Sequence, residues 1–383
     1  EFVNVPPLRF PEFSGEWRYS LLGNECNILC GYPFDGQDMQ ESSGNVKLLR
    51  GINITEGEIR HSNELDRYYS GDISKLGKYI LKEGDLVIGM DGSKVGRNSA
   101  ILTICEQGSY LVQRVCRIRS QKHNVEYIFQ HINNSKFHKY VDSIKTASAI
   151  PHISQSDIQD YTISFPPTAE EQIKITSLLS LLDARIATQN KIIEDLEQLK
   201  SAIRERLYTQ IQEEDFEHKT IKDVLSYEHP TKYIVVDTEY TDDKKLTPVL
   251  TANKAFILGY TPEQENIYGK GDCIIFDDFT MDIKFVSFPF KIKSSAIKIL
   301  TAKTNVNLYF IYEYLLFLNL ISEEHKRHYI SEIEPLHIVV PCLVIQHKIA
   351  EILQSIDKQI HNARQLQSAY QRQKQYLLNQ MFI

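Results

Sequence analysis

Side chains that could support catalysis cluster in only two places along this chain. The segment DDFTMDIK carries three carboxylates and a lysine in the manner of a nuclease metal site: Asp277, Asp278, Asp282 and Lys284. A turn at the end of a strand accounts for such a short cluster equally well. His325 and His328 have a spacing that suits a metal on a helix, but no third ligand follows them. We therefore predict neither a nuclease centre nor a metal site.

The sequence motifs of nucleotide and cofactor chemistry are missing. There is no GxGxxG fingerprint, no Walker A loop and no Asn/Asp-Pro-Pro-aromatic tetrapeptide of the kind that amino-methyltransferases use. The six cysteines form no CxxC pair, and Cys26 and Cys30 lie among apolar residues as structural thiols would. We predict no catalytic residue, no metal and no cofactor in this chain.

Basic and polar side chains recur on the predicted loops of both halves of the chain. In the first half they are Ser93, Lys94, Arg97, Asn98, Arg114, Arg117, Lys145, Ser148 and His152. In the second half they are Thr280, Lys284, Lys326, Arg327 and His328. Lys and Arg bind phosphates, whereas Arg, Asn, Ser and Thr can read base edges in the major groove. Each one taken alone is explained as well by a solvated surface, but the repeated placement favours a face that binds double-stranded DNA.

A long helix, predicted for residues 166–212, separates these two sets. A proline pair precedes it, and Thr168 and Glu171 have the spacing of a capping box. Its seam follows alternating steps of four and three, as in a coiled coil, with Gln189 and Lys200 as the interruptions. The apolar residues of the seam are Ile175, Leu179, Leu182, Ile186, Ile193, Leu196 and Ile203. At 1.5 Å per residue such a helix is roughly 60 Å long. A helix of that length requires a partner to cover its apolar seam.

The partner is predicted in the same chain, in residues 341–383. The seam recurs there at one constant offset: Ile349, Leu353, Ile356, Ile360 and Leu377. Polar positions recur as well, since Gln172, Asp183 and Lys200 return as Gln346, Asp357 and Lys374. Any two long amphipathic helices share a period, but matching polar residues at a common offset from a proline favour a tandem repeat.

The remaining residues form two predicted globular units, residues 1–165 and 213–340. In the first unit residues 110–119 alternate polar and apolar side chains, which predicts a half-exposed strand, and residues 125–140 read as one helix. These patterns favour an α+β fold with a twisted, mostly antiparallel sheet.

The second globular unit follows the plan of the first. Residues 270–278 match residues 83–91 in pattern, and Asn305 opens a helix as Asn124 does. Outside such anchors the two units differ widely. A scaffold that repeats while its exposed loops diverge is typical of two binding modules that present different surfaces.

The bulk properties of the chain are those of a cytoplasmic protein with reduced thiols. Its 383 residues suffice for two or three domains, and the formal net charge is −7. No apolar run reaches membrane-spanning length, and the first residues lack a signal-peptide pattern. An acidic scaffold still permits basic potential that is confined to loops.

Over nearly its whole length the sequence resembles the DNA-specificity subunit of Type I restriction-modification systems. In the first half the resemblance rests on VPPLRFPEFSGEW, GDLVIGMDGSKVG and FPPTAEEQIKITSLLSLLDARI. In the second half it rests on GDCIIFDDFTMDIKFVSFPFKIKSSAIKIL and VVPCLVIQHKIAEILQSIDKQI. The second helix departs from the pattern at residues 342–345, where Cys-Leu-Val-Ile replaces the Thr-Ala-Glu-Glu entry of the first.

The resemblance implies two target-recognition domains that each read one half of a split DNA site. The two long helices would pack as an antiparallel coiled coil with pseudo-two-fold symmetry and dock the methyltransferase subunits, expected to be two. Those partners would methylate adenine with S-adenosylmethionine, and restriction subunits would join through the complex and cleave DNA with ATP. The family's specificity subunit itself performs no chemistry. No membrane partner is expected.

Two other classes of function stay open at this point. One is a self-contained DNA nuclease or modification enzyme, against which the missing motifs argue. The other is a protein-assembly scaffold without DNA readout, against which the divergent basic loops argue.

Overall fold

The computed structural model describes residues 4–42, 46–251, 255–322 and 326–382. The chain divides into two compact units: unit 1 comprises Glu1–Gln189 and Leu366–Ile383, and unit 2 comprises Asn190–Gln365. Each unit therefore combines one globular part with a portion of both long helices. No described helix is long and apolar enough to cross a membrane. His325 of the predicted histidine pair lies outside the described residues.

Unit 1 is an α+β structure with ten strands in its described part. The strands are β1 (Arg18–Leu21), β2 (Asn27–Cys30), β3 (Met39–Gln40), β4 (Val46–Leu49), β5 (Arg67–Tyr69), β6 (Leu86–Gly89), β7 (Ser99–Ile101), β8 (Tyr110–Leu111), β9 (Val115–Arg119) and β10 (Thr162–Phe165). The helices are α1 (Leu22–Glu25), α2 (Val125–Ile132), α3 (Ser135–Ile144), α4 (Gln155–Gln159) and the start of α5 (Ala169–Glu213).

The strands of unit 1 form three sheets. One has the order β2-β9-β6-β7 and is antiparallel throughout. A second has the order β3-β5-β4-β8, in which only the β4–β8 pair is parallel. In the third, β1 pairs with β10 in antiparallel register. The mostly antiparallel α+β fold predicted from the sequence is confirmed.

Strand β6 is buried on both faces, which explains its continuous apolar sequence. Leu86 and Ile88 belong to the core that includes Trp17 and the helices. Val87 belongs to a second core, which includes Leu49 of β4. Successive side chains of a strand point to opposite faces, so a central strand between two cores must be apolar at every position.

Unit 2 repeats the plan of unit 1. Its strands are β11 (Glu217–Thr220), β12 (Leu225–Glu228), β13 (Thr247–Leu250), β14 (Ile257–Thr261), β15 (Cys273–Asp277), β16 (Ile283–Val286), β17 (Lys291–Ile292), β18 (Ile297–Ala302) and β19 (His337–Val340). Its helices are α6 (Ile221–Val224), α7 (Leu308–Phe317) and, after the rest of α5, the start of α8 (Leu343–Met381).

The sheets of unit 2 match those of unit 1, except that β3 has no counterpart among the described strands. The order β12-β18-β15-β16 reproduces β2-β9-β6-β7, and β11 pairs with β19 as β1 pairs with β10. The order β14-β13-β17 reproduces β5-β4-β8, including the parallel last pair. This correspondence confirms the internal repeat that the helices predicted.

The helix-opening asparagine of unit 2 is Asn307, not Asn305. The Asn307 side chain accepts a hydrogen bond from the Phe310 N–H (2.9 Å), as Asn124 accepts one from the Tyr127 N–H (3.1 Å). Asn305 instead adopts a left-handed conformation (φ 63°) in the preceding turn. Asparagine suits both positions, so residue type alone did not distinguish them.

Within each unit the two long helices pack antiparallel. In unit 1 the seam residues Ile175, Leu179 and Leu182 are buried, together with Leu378 and Met381 of α8. The ion pair between Asp183 and Lys374 (2.6 Å) and the stacking of Arg185 on Tyr370 show the opposite chain directions. In unit 2 the buried seam residues are Ile349, Leu353, Ile356 and Ile360. The other predicted seam residues are half-buried: Ile186, Ile193, Leu196, Ile203 and Leu377.

The start of α5 is only half of a capping box. The Glu171 N–H donates to Thr168 Oγ1 (3.3 Å). The Glu171 carboxylate is buried and accepts two hydrogen bonds from the Arg9 guanidinium (2.7 and 2.8 Å). The acidic residue that the sequence assigns to the helix cap therefore ties residues 4–16 to the helix.

Candidate nucleic-acid interface

The loop between β6 and β7 presents the first group of candidate residues. Val95 is fully buried and anchors the loop in the core. Gly96 adopts a left-handed conformation (φ +72°) against α3, where an added Cβ would lie 2.8 Å from Val141. Only glycine fits this close approach without strain. Val95 and Gly96 thus fix the end of the loop that precedes β7. Ser93 and Lys94, at the tip of the loop, are exposed.

The backbone of Met90 brings three of the candidate segments together. Its N–H donates to the Arg114 carbonyl (2.9 Å), and its carbonyl accepts from the Ile153 N–H (3.0 Å). Next to it the Gly92 N–H donates to the Pro151 carbonyl (3.0 Å). We call this arrangement the unit 1 junction. It joins the β6–β7 loop, the turn before β9 and the loop before α4.

Asp142 links basic side chains from two of these segments. Its carboxylate accepts hydrogen bonds from the Arg97 guanidinium (2.5 and 3.3 Å) and from Lys145 Nζ (2.7 Å). These two cations hold the pKa of Asp142 low, at about 2. Lys94 makes an exposed ion pair with Glu56 (2.9 Å). Lys94, Arg97 and Lys145 are therefore each paired with a nearby carboxylate.

The polar residues around the junction are ordered by local hydrogen bonds. Ser148 is exposed, and its hydroxyl donates to the Ile150 carbonyl (2.6 Å). His152 Nδ1 lies 3.0 Å from Thr146 Oγ1. Asn98 is half-buried, and its carbonyl accepts from the Gly89 N–H (2.8 Å). Together with the cations, these side chains give the unit 1 junction both phosphate-binding and base-reading chemistry.

Arg114 is exposed and Arg117 is buried. Residues 110–119 are not one strand. Arg114 adopts a left-handed conformation (φ 68°) in a turn between β8 and β9, which leaves it exposed. Arg117 follows within β9 and is 4% exposed, with its guanidinium bonded to the Asn27 side chain. Burial lowers the pKa of Arg117. An interior position leaves Arg117 little surface to offer a ligand.

In unit 2 the predicted acidic cluster is part of a structural turn. Asp278 is buried, and its carboxylate accepts from the backbone N–H groups of His328 (3.1 Å) and Tyr329 (2.9 Å). Buried Lys298 lies 3.5 Å from the same carboxylate. Asp277 accepts from the Phe279 N–H (2.9 Å) and closes the turn. Within the described residues no three His, Cys, Asp or Glu side chains come together to hold a metal.

The same contacts form a junction in unit 2, between the β15–β16 loop and the segment before β19. Arg327 lies over the Phe279 ring (5.9 Å), and Lys326 pairs with Glu332 (3.0 Å). Hydrogen bonding to Lys326 lowers the pKa of Glu332. Thr280 is exposed on the β15–β16 loop. Lys284 is exposed farther along, on β16.

His328 lies in the interior of the unit 2 junction. It is 2% exposed, and its Nδ1 lies 2.8 Å from Glu332 Oε2. Its role in the structure is to fix the loop. Lys326 and Arg327, which precede it, are exposed.

The sequence interpretation missed the carboxylates that balance the candidate cations. Asp142 and Lys145 are separated by one helical turn, so their pairing has a signal in the sequence. Glu56 is remote from Lys94 in the chain, and only the folded structure brings them together.

The fold is duplicated, and each unit has a loop junction that carries exposed basic side chains. A family model described as the Type I restriction modification DNA specificity domain matches residues 16–198 and 213–369. Because the two matches cover most of the chain, the protein belongs to this family.

Named relatives agree with the family. The chain is 43% identical over 144 residues to the Type I restriction enzyme EcoR124I/EcoR124II specificity subunit of Escherichia coli, covering 34% of this chain and 35% of that protein. It is 27% identical over 192 residues to the Escherichia coli EcoBI specificity subunit, covering 49% and 37%. The matched segments thus span little more than a third of these two relatives. A putative MjaX specificity subunit of Methanocaldococcus jannaschii is 24% identical over 299 residues, 68% of each chain.

Solved structures share the fold. The S subunit of a Type I restriction-modification system from M. genitalium superposes with a TM-score of 0.66 at 14% identity, over 99% of both chains. A chain solved in work on complex assembly and conformational transition of the type I R-M system has a TM-score of 0.54 at 13% identity, over 96% of this chain and 98% of that one. At such low identities these likenesses show the fold.

Proposed function

We propose that this chain is the non-catalytic DNA-reading subunit of a Type I restriction-modification complex. Units 1 and 2 would each read one half of a bipartite target. The observation that carries this proposal is the duplicated junction, in which a strand-end loop is tied to the loop before the last strand. The supports repeat while the side chains differ, so the two half-sites should differ and the target should be asymmetric.

The proposed parts follow the boundaries predicted from the sequence. Residues 1–165 and 213–340 are the target-recognition domains, and residues 166–212 and 341–383 are the spacer helices. These helices dock two methyltransferase subunits. Large apolar side chains left exposed on them support docking: Ile173, Leu181, Leu199, Val344 and Ile352.

The proposed DNA contacts are the exposed and half-buried candidates. In unit 1 they are Ser93, Lys94, Arg97, Asn98, Arg114, Lys145, Ser148 and His152. In unit 2 they are Thr280, Lys284, Lys326 and Arg327. We leave out Arg117 and His328 because both side chains are buried. On binding, DNA phosphates would replace carboxylates as partners of Lys94, Arg97 and Lys145.

The chemistry in this proposal belongs to the partner subunits. Methyltransferase subunits would bind S-adenosylmethionine and methylate adenine, and restriction subunits would cleave DNA with ATP. The whole complex would act in the cytoplasm. The Asp278 carboxylate already accepts hydrogen bonds from two backbone N–H groups. This favours a structural role for the acidic cluster of unit 2 over a self-contained nuclease.

A map of adenine methylation tests the proposal directly. The chain is expressed with its cognate modification subunit in a host without adenine methylation, and N6-methyladenine is located by sequencing the DNA. A split motif with a fixed, unspecified gap is the expected result. Absence of methylation although the subunits co-purify would leave only an assembly scaffold. Failure to co-purify would overturn the docking role of the helices.

Charge reversal separates DNA reading from assembly. Lys94→Glu combined with Arg97→Glu should abolish DNA binding by the complex while the subunits still co-purify. Lys75→Glu combined with Lys78→Glu, at two exposed lysines outside the candidate segments, is the matched control. The isolated chain should bind DNA weakly, and its affinity should fall steeply with salt, because phosphate contacts release counterions. Loss of assembly in the double variant would favour the scaffold alternative.

A further inference from the structure

In unit 1 the lead-in segment, residues 4–16, covers one end of the helix pair. The Leu8 N–H donates to the Gln380 carbonyl at the end of α8 (2.9 Å). Arg9 makes its paired hydrogen bonds to Glu171 at the start of α5. The lead-in therefore bridges the last turn of one helix and the first turn of the other.

An aromatic residue and an acid of the lead-in share one lysine. Phe10 packs against the unit 1 core, and Lys174 Nζ lies 4.9 Å from the centre of its ring. Lys174 also makes an ion pair with Glu12. The sequence Phe-Pro-Glu thus places a ring and a carboxylate on the same cation, two contacts that reinforce each other.

At the corresponding end of the helix pair in unit 2, no described segment forms such a cover. By the constant offset between the helices, Lys348 corresponds to Lys174 and Ile345 to Glu171. Helix α5 runs on to Glu213, and Phe216, the counterpart of Trp17, follows after a short link. That link is too short to form a segment like the lead-in.

A hollow of about 390 Å³ remains at this place in unit 2. Its apolar lining comes from Leu207, Ile211, Phe216, Ile345 and Ile349, and Lys348 lies at its edge. The volume is large enough for aromatic and aliphatic side chains of an inserted peptide. Ile345, Lys348 and Ile349 of this lining correspond, by the constant offset between the helices, to Glu171, Lys174 and Ile175 at the start of α5 in unit 1.

We propose that this hollow binds an extended segment of a partner protein, with an aromatic residue followed two positions later by a carboxylate. The ring would fill the apolar hollow, and the carboxylate would pair with Lys348, as Phe10 and Glu12 do with Lys174. Because Ile345 replaces Glu171, an apolar residue rather than an arginine should precede the aromatic one. This docking site goes beyond DNA reading and is independent of it.

The probe is a labelled peptide of residues 4–13 that carries Arg9→Leu. Its binding to the full chain is followed by fluorescence anisotropy. We expect saturable binding that Lys348→Glu weakens about tenfold or more, since the change removes a cation–π contact and reverses an ion pair. Lys174→Glu, the matched change in unit 1, should leave the affinity unaltered. A second peptide that also carries Phe10→Ala should bind the unaltered chain weakly. Its affinity should be similar to that of the first peptide for the Lys348→Glu chain.

Thermal melts of the two variants check that both remain folded. Absence of saturable binding to the unaltered chain would overturn the proposal. So would loss of binding in Lys174→Glu alone, because the peptide would then be entering unit 1. Sedimentation of the chain by itself gives a further test. Self-association that Lys348→Glu abolishes would assign the hollow to the lead-in of a second copy and overturn the partner assignment.

Discussion

Asp142 controls how two cations of the unit 1 junction are presented. It fixes Arg97 from one side and Lys145 from the other, and its own side chain is exposed. A phosphate that approached these cations would meet the Asp142 carboxylate as well. In the proposed interface the residue would therefore have two opposing effects: it would orient Arg97, and it would repel DNA.

Replacement of Asp142 should separate these two effects. In Asp142→Asn we expect the assembled complex to bind random duplex DNA severalfold more tightly, because one negative charge is lost. We expect discrimination of the unit 1 half-site to fall, because Arg97 loses its bidentate partner. Competition assays with target and random duplexes measure both quantities. Asp160→Asn removes the same charge at another exposed site and should alter neither; unchanged discrimination in Asp142→Asn would refute the orienting role.

His131 gives unit 1 a source of acid sensitivity at a position where unit 2 has a tyrosine. It is buried against Tyr127 and Phe382, and no described residue offers its Nε2 a hydrogen bond. Burial, with a contribution from nearby Lys136, lowers the pKa of His131 from 6.5 to about 3. At the same place in unit 2 stands Tyr314, whose hydroxyl accepts from the Val339 N–H (3.2 Å).

The sign of this effect follows from proton uptake by the unfolded chain. Between pH 6.5 and about pH 3 the unfolded chain protonates His131 while the folded chain keeps it neutral. The free energy of unfolding of unit 1 should therefore fall on acidification, by at most about 1.4 kcal/mol per pH unit from this group. His131→Tyr, which copies unit 2, should flatten the slope. Hydrogen exchange of α2 at pH 6 and pH 4 measures how the free energy of unfolding of unit 1 depends on pH. The same pH dependence in His131→Tyr as in the unaltered chain would contradict the assignment of this effect to His131.

At the scale of elements, the sequence predicted the long helices and their repeat well. Their seam follows a heptad spacing, and this depends only on local periodicity. The loops were predicted less well, because their geometry depends on contacts between distant residues. Arg114 breaks the predicted strand 110–119 by its left-handed backbone, and Asn134 splits the predicted helix 125–140 by capping α3. Arg117 is buried because β9 is a central strand between β2 and β6, and that pairing of distant segments has no sequence signal.

The recurring polar residues of the helices acquire a physical reason in the structure. Asp183 pairs with Lys374 in unit 1 (2.6 Å). In unit 2, Lys200 pairs with Asp357, which is the counterpart of Asp183 (2.6 Å). Each repeat thus supplies the acid for one pair and the lysine for the other. A polar pair in an apolar seam fixes the register of the helices, because any shift would bury an unpaired charge.

The two lysines differ in their other partners, and so should their replacements. Lys200 also contacts the fully buried carboxylate of Glu313 (2.7 Å), which Arg204 shares (2.8 Å). Lys200→Met should destabilise the helix pair of unit 2 by about 3 kcal/mol, since a buried charge loses a partner. Lys374→Met should cost unit 1 only about 1 kcal/mol, because Asp183 is partly exposed and water screens it.

Hydrogen exchange separates these two variants, since each unit reports on its own helix segment. Faster exchange is expected in residues 349–360 for Lys200→Met, with little change in residues 175–186. An equal effect of the two substitutions would show that Glu313 adds nothing to the unit 2 pair.

For the whole molecule, duplication with divergence predicts that the two units specify different half-sites independently. The junction residues of unit 1 all lie between the two strands that pair at its base, β1 and β10. Those of unit 2 lie between β11 and β19 in the same way. Each proposed recognition surface is therefore one continuous segment between two strands that pair with each other. Such a segment can be exchanged as a whole.

Exchange of residues 46–163 for the same region of another family member should change one half of the methylated motif only. The other half and the gap should stay as they were, because unit 2 and both long helices are untouched. The reciprocal exchange within unit 2, residues 247–336, is the control and should change the opposite half. N6-methyladenine mapping of cells that carry each hybrid reads both outcomes. If either exchange altered both halves together, the target would be read by a surface that the two units build jointly, and the assignment of one half-site to each unit would be wrong.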